Sequence, residues 1–332
     1  MRHSFQVGSF FFSEFSMVRK FCRMAALITL SCFAGSFERQ AHAQSFSVDL
    51  IAKGLSKPTG INVDVYGNLY YTEVPTPGVS GSKGGLNRVS RLDSSHKKTT
   101  LVSSGDPYPA NLATDLYGNV YWTCQSANVI VRRTQFGTGS KSVLLSGLKA
   151  PTGVDVPLFF PNLIFFTQVP TPGVSGPNGG MNEVSAGVKL FNTFIPVTLH
   201  NGEPEPVDIA VSIDGTLYWT CRTAGVILMR SASGDISVVE SGLQRPTGLD
   251  IDLFGRLYWT EIPTPGVAGP NGGKNRVVRY SPSSKKLDVI KMGDPEPYDI
   301  SVTPFGDEIY WTCRTAGVIL RARASSDHDD TE

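Results

Sequence analysis

Short runs of alternating hydrophobic and polar residues, separated by glycine, proline and serine turns, follow one another along most of this chain. The first complete set begins at Pro58 to Val65, turns at Tyr66-Gly67-Asn68, continues through an aromatic run, and ends with runs at Asn87 to Leu92 and Thr99 to Val102. Alternation with β-branched and aromatic enrichment predicts strands, so each set predicts a four-stranded antiparallel sheet. Helical periodicity is absent beyond the first 43 residues, which makes the predicted fold class all-β.

This set occurs six times, and its second strand always ends in two aromatic residues followed by threonine. The motifs are Tyr-Tyr-Thr-Glu at 70–73, Tyr-Trp-Thr-Cys at 121–124, Phe-Phe-Thr-Gln at 165–168, Tyr-Trp-Thr-Cys at 218–221, Tyr-Trp-Thr-Glu at 258–261 and Tyr-Trp-Thr-Cys at 310–313. A fixed period of this size indicates stacked or radially arranged copies of one unit. Six four-stranded sheets arranged radially form a six-bladed β-propeller.

The two ends of the repeat region predict how the ring closes. The last repeat has runs at Tyr298 to Val302, Glu308 to Thr312 and Val318 to Ala322, and no fourth run follows them. The segment Phe46 to Ala52 has the pattern of a strand but precedes the first repeat. We therefore expect this amino-terminal strand to complete the last sheet, because closure protects strand edges that would otherwise stay unpaired.

Alternate repeats carry the same long insertion after the second strand. It is PTPGVSGSKGGLN from Pro75, PTPGVSGPNGGMN from Pro170 and PTPGVAGPNGGKN from Pro263, whereas the other repeats have a short turn there. The ring is therefore three copies of a two-blade unit. In a propeller these loops share one face with the connections between blades, so all three should crowd one face.

We interpret these loops as a ligand-binding face, although proline and glycine in the loops could equally serve to fold them against the next blade. The candidate binding residues are Pro75, Thr76, Gly78, Asn87, Pro170, Thr171, Asn182, Pro263, Thr264 and Asn275. Arg222 and Arg314 follow two of the motif cysteines and either add positive charge to this face or pair with the acidic connectors between blades.

The first 43 residues predict an upstream extension and a bacterial secretory signal. Basic residues at 19, 20 and 23 precede an apolar stretch from Met24 to Phe37, and Ala41-His42-Ala43 provides a cleavage site before Gln44. Met17 is the more natural start because the basic segment follows it directly. These features predict a propeller over 44–324, a polar tail over 325–332, and export to the periplasm or the medium.

The charge balance favours neither nucleic acid nor an anionic membrane as a partner. Removing the five basic and two acidic residues of 1–43 leaves 25 Lys and Arg against 27 Asp and Glu, a net charge of about −2. We expect no transmembrane segment in the mature chain, and a monomer. Its histidines, His96, His200 and His328, do not predict a paired nucleophile.

The aromatic-Trp-Thr motif after Gly-X-Leu resembles the YWTD propellers of lipoprotein receptors, which have six blades. The Pro-X-Gly-Ile-X-Val-Asp runs also resemble NHL repeats and the gluconolactonase/paraoxonase propellers. The aspartate of YWTD ties neighbouring blades together in the receptors, but here its place is taken by Glu73, Gln168 and Glu261 in the long-loop repeats and by cysteine in the others.

The inner strands of the short-turn repeats carry Asn111, Asp208 and Asp299 two residues after their leading proline. These polar groups should stand threefold around the channel mouth. The gluconolactonase/paraoxonase resemblance implies a channel Ca²⁺ held by such side chains, because Ca²⁺ prefers oxygen ligands. The alternative is that each of these side chains caps its own turn.

The three mature cysteines, Cys124, Cys221 and Cys313, occupy equivalent positions in alternate repeats. Points threefold around the ring at the second strand are about 20 Å apart by strand spacing, beyond disulfide reach. We therefore expect three small buried thiols packed between blades.

The function that these features predict is an exported propeller that binds a protein or glycan through its loop face. The alternatives are a calcium-dependent lactonase or ester hydrolase with its site at the channel mouth, in which metal-activated water needs no histidine, and a structural surface protein.

Overall fold

The computed structural model describes residues 45–76, 85–135, 139–158, 160, 162–173, 181–265 and 273–324. The predicted signal segment, the polar tail and the tips of the three long loops lie outside these residues. In the described part of the chain there are 24 strands and one 3-10 turn at Gln125–Ala127. No described helix is long and apolar enough to cross a membrane.

Six separate four-stranded antiparallel sheets form the blades of a propeller, as the repeats predict. Blade 1 contains β2 (Pro58–Val63), β3 (Leu69–Glu73), β4 (Arg88–Leu92) and β5 (Thr99–Ser104). Blade 2 contains β6 (Pro109–Thr114), β7 (Val120–Cys124), β8 (Val129–Arg133) and β9 (Lys141–Leu145). Blade 3 contains β10 (Pro151–Asp155), β11 (Leu163–Gln168), β12 (Glu183–Leu190) and β13 (Thr193–Asn201).

The second half of the ring repeats this order. Blade 4 contains β14 (Pro206–Val211), β15 (Leu217–Cys221), β16 (Val226–Arg230) and β17 (Ile236–Glu240). Blade 5 contains β18 (Pro246–Ile251), β19 (Leu257–Glu261), β20 (Arg276–Ser281) and β21 (Lys286–Met292). Blade 6 contains β22 (Pro297–Val302), β23 (Glu308–Cys313) and β24 (Val318–Ala324), with β1 (Phe46–Lys53) as its outer strand.

Ring closure by the amino-terminal strand is confirmed. Strand β1 pairs antiparallel with β24 from Phe46 opposite Ala324 to Lys53 opposite Val318. The inner strand of blade 1 then packs against the inner strand of blade 6, so the ring has no gap. Because one sheet combines the two ends of the propeller, the outer strand of blade 6 couples them mechanically.

The core lies between blades, where the aromatic motifs of one sheet pack against the next. Trp122, Trp219, Trp259 and Trp311 are all fully buried. Each belongs to a separate hydrophobic cluster that also includes residues of a neighbouring blade. Burial of large aromatic surfaces is the main stabilising contribution to such a radial packing.

Candidate functional site

Each long loop is closed at its base by a fully buried asparagine. In blade 3, Oδ1 of Asn182 accepts hydrogen bonds from the backbone N–H and the hydroxyl of Thr171, at 3.0 and 2.9 Å. Its Nδ2 donates to the carbonyl oxygens of Thr171 and of Glu203, both at 3.1 Å. Glu203 begins the connector to blade 4, so one side chain joins the two ends of the loop to the next blade. We call this arrangement the asparagine latch.

The latch is the same in all three long-loop blades. The equivalent sets are Asn87 with Thr76 and Asp106, and Asn275 with Thr264 and Asp294. The prolines at 75, 170 and 263 and the three threonines are half-buried at the loop bases, whereas Gly78 lies outside the described residues. Because the latch asparagines have no exposed surface, they hold the loop bases and do not themselves face solvent.

Each inner strand has the same break in its pairing with the second strand near the channel mouth. Regular pairing with the second strand breaks between the first and fourth residues of every inner strand, as between Pro206 and Ile209. The threonine of the aromatic motif fills this break by accepting the free backbone N–H, as Thr220 does from Asp208 at 3.2 Å. The same hydrogen bond occurs in the other five blades. This explains why threonine recurs in all six motifs.

The structure brings together the three side chains that the sequence placed at the channel mouth. Nδ2 of Asn111 donates to Oδ1 of Asp208 at 3.1 Å and to Oδ2 of Asp299 at 3.2 Å. We call these three residues the channel triad. The long-loop blades have glycine at the same position, because a Cβ at Gly153 would lie 2.7 Å from the Cα of Asp208 and one at Gly248 would lie 2.6 Å from that of Asp299.

The triad carboxylates also connect neighbouring blades. Asp208 accepts the N–H of Leu249 in blade 5 at 2.8 Å, and Asp299 accepts the N–H of Ile61 in blade 1 at 2.8 Å. Each also accepts the N–H of the residue that follows it, at 2.9 Å. All four carboxylate oxygens therefore have a backbone donor, and these aspartates act as cross-blade links as well as channel groups.

The two carboxylates of the triad repel each other when both are ionised, because they lie together in a buried site. Burial raises the pKa of both Asp208 and Asp299, and their mutual repulsion raises that of Asp208 further. Either a bound proton or a cation would relieve the repulsion. The donor chemistry, carboxylate and amide oxygen, is the kind that Ca²⁺ uses, but Asn111 turns its amide N–H groups and not its oxygen toward the pair. In the part of the chain that the structure describes, no group of three or more His, Cys, Asp or Glu side chains could hold a metal ion.

Above the triad, the connector side chains surround a cavity of about 150 Å³ that opens on the loop face. Arg222 pairs with Glu205 at 3.2 Å and lines this cavity. Arg314 lies 3.9 Å from Glu296 and 5.0 Å from the ring centre of Tyr298. Both arginines thus pair with connector glutamates, one of the two roles that the sequence suggested.

Blade 2 breaks this threefold arrangement. Where blade 4 has Glu205 and Arg222, blade 2 has Tyr108 and Gln125, and both line the cavity. Burial raises the pKa of Tyr108 to about 12, so its phenol is neutral. The cavity is therefore neutral and aromatic on the blade 2 side and charged on the blade 4 side.

The substitutes for the YWTD aspartate also bind backbone. Glu73 accepts the N–H of Ser56 at 2.8 Å, Gln168 that of Lys149 at 2.6 Å and Glu261 that of Gln244 at 2.8 Å. The longer side chain thus reaches the segment that leads into its own blade. The three cysteines are buried free thiols, as expected. Burial raises the pKa of Cys124 to about 12, which keeps it protonated.

The described histidines lie away from the channel triad. His200 pairs with Glu203 in the connector between blades 3 and 4, and it is partly exposed. Nε2 of His96 lies 3.4 Å from the hydroxyl of Tyr310, near the turn that joins β4 to β5. His328 lies outside the described residues.

A second set of channel groups escaped the sequence analysis. They are Asp155, Asp250 and Asn62, each two residues after the glycine on the inner strand of a long-loop blade. Asp155 accepts the N–H of Val211 at 2.7 Å and Asp250 that of Val302 at 2.8 Å, so these also link neighbouring blades. The sequence could have predicted them, because residues two apart on a strand share a face and the glycines occupy the channel-facing position.

Comparison with curated proteins gives one distant relative. The chain is 30% identical over 189 residues to low-density lipoprotein receptor-related protein 1 of Pyricularia oryzae. The match covers 50% of this chain and 57% of that protein, so the chain spans little more than half the length of this relative. No family model matches the chain.

Solved structures share the fold at low identity. A gluconolactonase of Xanthomonas campestris has a TM-score of 0.63 at 13% identity, covering 85% of this chain and 91% of that one. A virginiamycin B lyase of Staphylococcus aureus, solved with quinupristin, has a TM-score of 0.57 at 20% identity, covering 85% and 100%. A chain of a nidogen/laminin complex has a TM-score of 0.53 at 18% identity, covering 70% and 79%. The chain thus shares the six-bladed propeller fold of two enzymes and of a chain in a protein complex.

Proposed function

We propose that this chain is an exported binding module that recognises a partner through the three long loops. The observation that supports this most directly is the asparagine latch. The bases of three loops of nearly the same sequence are each fixed by the same four hydrogen bonds around one fully buried side chain, as at Asn182. The latch fixes the two ends of the loop relative to each other and to the next blade before binding, which lowers the entropic cost of recognition.

A protein surface suits this arrangement better than a small molecule. The loops start from alternate blades, so a ligand that touches all three must extend across the loop face. The structural neighbour from the nidogen/laminin structure belongs to a protein complex, and the distant relative is a receptor-related protein. A glycan that spans the loops is the alternative ligand of the same face.

The test replaces loop tips and leaves the latches intact. Gly-Ser linkers would replace the loop tips 77–84, 174–180 and 266–272 singly, in pairs and together. The latch residues, such as Thr264 and Asn275, stay in place and still close each loop base. Purified variants would be cross-linked to cell-envelope proteins and applied to a glycan array. Binding through several loops should fall stepwise with each loop removed, while the melting temperature stays within a few degrees. Capture that is equal for the wild type and the triple variant would refute the proposal.

A hydrolase or lactonase site at the channel mouth is the second candidate. The supporting observation is the channel triad at the floor of a cavity that opens on the loop face. If Ca²⁺ binds there, Asp208 and Asp299 would hold it, with Asn111 as a further ligand only after its amide turns its oxygen toward them. The ion would supply a Lewis acid to polarise an ester carbonyl.

Thermal unfolding with and without millimolar Ca²⁺ tests this second candidate. Ca²⁺ should raise the melting temperature of the wild type, and the variant Asp208→Asn/Asp299→Asn should lose that increase. Hydrolysis of an aldonolactone, followed by pH indicator, is the second measurement. A wild type that shows neither a Ca²⁺ shift nor turnover rules out the calcium-dependent enzyme and leaves the loop-face proposal unaffected.

A further inference from the structure

The face opposite the loops carries an arc of exposed aromatic side chains. It consists of Tyr66, Tyr117, Phe254 and Phe305, each at the tip of the hairpin between the first and second strands of its blade. Their exposed fractions are 57%, 55%, 68% and 66%. We call these four residues the aromatic arc. Exposed large apolar groups are unremarkable one at a time, but a contiguous set marks an interaction surface.

Rigid turns hold these side chains outward. In blade 5, Oδ1 of Asp252 accepts the backbone N–H groups of Phe254 at 2.9 Å and Arg256 at 3.0 Å, and the glycine between them has a φ of 76°. The same aspartate-centred turn holds Tyr66 and Tyr117. In blade 6, the turn that carries Phe305 is closed by the N–H of Gly306, which donates to the carbonyl oxygen of Thr303 at 2.8 Å. These hydrogen bonds fix the backbone of each turn, so the aromatic residues start from ordered positions of the fold.

The arc spans four successive blades, two thirds of the ring, as two pairs of side chains. Blades 5, 6, 1 and 2 are successive neighbours through the ring closure. The rings of Phe254 and Phe305 lie 6.4 Å apart between centroids, and the hydroxyl of Tyr66 donates to the carbonyl oxygen of Leu116 beside Tyr117 at 3.3 Å. Tyrosine and phenylalanine are enriched at the cores of protein interfaces, and tyrosine is among the residues that contribute most of the binding energy there.

Inside the arc, the channel mouth is acidic. A cavity of about 80 Å³ opens there and is lined by Asp155 and Asp250, with Asp115 and Asn62. No lysine or arginine is among the described residues that line it. Burial and the charge of Asp250 raise the pKa of Asp155, because these carboxylates repel one another in a narrow, low-dielectric mouth. A cation placed in this mouth would relieve the repulsion and be attracted by the negative potential of the ionised carboxylates. Arg256, whose guanidinium lies 5.1 Å from the ring centre of Phe254 in the arc, is already paired with Asp252 at 2.5 Å.

We propose that the aromatic arc docks a protein partner that places a lysine or arginine side chain in this acidic mouth. The cavity holds the end of one such side chain, while the arc, spread over four blades, contacts the surrounding surface of the partner. A second copy of this chain is a poor occupant, because face-to-face pairing would oppose two acidic mouths. Anionic lipid is disfavoured for the same reason. This surface is separate from the loops, so it goes beyond the function proposed above.

Fluorescein-labelled cyclic peptides provide the probe. Each presents a central lysine, arginine, norleucine or glutamate between apolar residues, and binding to the full chain is measured by anisotropy. We expect lysine and arginine peptides to bind at least about tenfold more tightly than the norleucine peptide, which has the same apolar stem without the charge. The double variant Phe254→Ser/Phe305→Ser should weaken the binding of the lysine and arginine peptides about tenfold or more. Asp250→Asn should mainly remove the preference for basic peptides.

Phe191→Ser is the matched control. Phe191 is 98% exposed, but it lies at the outer turn between β12 and β13, away from the arc, so its loss should not change binding. The triple loop-tip variant should also bind the basic peptides normally, which separates this surface from the loop face. Because the arc residues are exposed, the serine variants should keep the wild-type melting temperature.

Three results would overturn the proposal. The first is the lack of a preference for lysine or arginine over norleucine, including the case in which no peptide binds. The second is self-association in sedimentation equilibrium that Phe254→Ser/Phe305→Ser abolishes, which would identify a second copy as the occupant. The third is binding to phosphatidylcholine vesicles that the same variant abolishes, which would identify a lipid surface.

Discussion

Replacing Asp250 by asparagine should change how the stability of the protein depends on pH. Asp250 lies in the channel wall, where its carboxylate accepts the N–H groups of Ile251 at 2.7 Å and Val302 at 2.8 Å and the hydroxyl of Ser301 at 3.1 Å. Burial nevertheless raises its pKa from 3.8 to about 6, because desolvation outweighs these hydrogen bonds. Blade 1 has Asn62 at the equivalent position, so the fold accommodates an amide there.

The direction and size of the effect follow from this pKa. A carboxyl whose pKa is higher in the folded state binds its proton more tightly there, so the folded state is favoured at low pH. That advantage is complete below about pH 4 and is lost as the pH rises through about 6. A pKa that rises from 3.8 to about 6 corresponds to about 3 kcal/mol. Because Asp250 is only half-buried, the expected value is about 2 to 3 kcal/mol.

Urea unfolding measured by tryptophan fluorescence at several pH values between about 4 and 8 gives the comparison. The free energy of unfolding of the wild type, minus that of Asp250→Asn, should fall by about 2 to 3 kcal/mol across this range. The hydrogen bonds lost in the variant shift the whole difference curve and leave its slope unchanged. Since Asp155 senses the charge of Asp250, the same comparison in an Asp155→Asn background serves as the control. Difference curves that are flat in both backgrounds would refute the reasoning.

Three further predictions concern the latch, the channel packing and the thiols. Asn182→Ala should lower the free energy of unfolding by about 3 kcal/mol, since a fully buried side chain with four hydrogen bonds leaves its partners unsatisfied; an unchanged urea midpoint would contradict this. Gly248→Ala should cost about 1 to 3 kcal/mol by thermal unfolding, because the new methyl group would lie 2.6 Å from the Cα of Asp299; wild-type stability would show that the channel can expand. The three buried thiols should be unreactive toward Ellman's reagent in the native protein and react fully in urea, and rapid native labelling would contradict their burial.

The sequence predicted the fold closely because each signal for it is local. Strand alternation, the glycine turns and the aromatic-Thr motifs repeat within about fifty residues, so counting them gave six blades. The inner strand of blade 1 ends at Val63 and not at Val65, because Asp64 caps the turn by accepting the N–H groups of Tyr66 and Asn68. Such capping depends on side-chain geometry that the pattern of hydrophobic residues does not contain.

The contacts within the candidate site were less predictable. The sequence predicted that Asn111, Asp208 and Asp299 lie at one channel mouth. It did not predict that Asn111 donates hydrogen bonds to the aspartates, or that each aspartate accepts a hydrogen bond from the next blade. It also missed the role of the latch asparagines, which stand eleven residues from their threonines across a loop of low complexity. Which side chain donates and which accepts depends on the backbone geometry where the inner and second strands lose regular pairing. No local sequence signal specifies that geometry.

The sequence by itself determined the number of blades, their alternation and the strand that closes the ring, because these follow from short-range periodicity and from one unpaired segment. Only the tertiary structure decided which distant side chains meet. Asn111 joins partners 97 and 188 residues away, and the aromatic arc unites hairpins from both ends of the chain. A closed ring brings such residues together because every inner strand borders the same axis, whatever its separation along the chain.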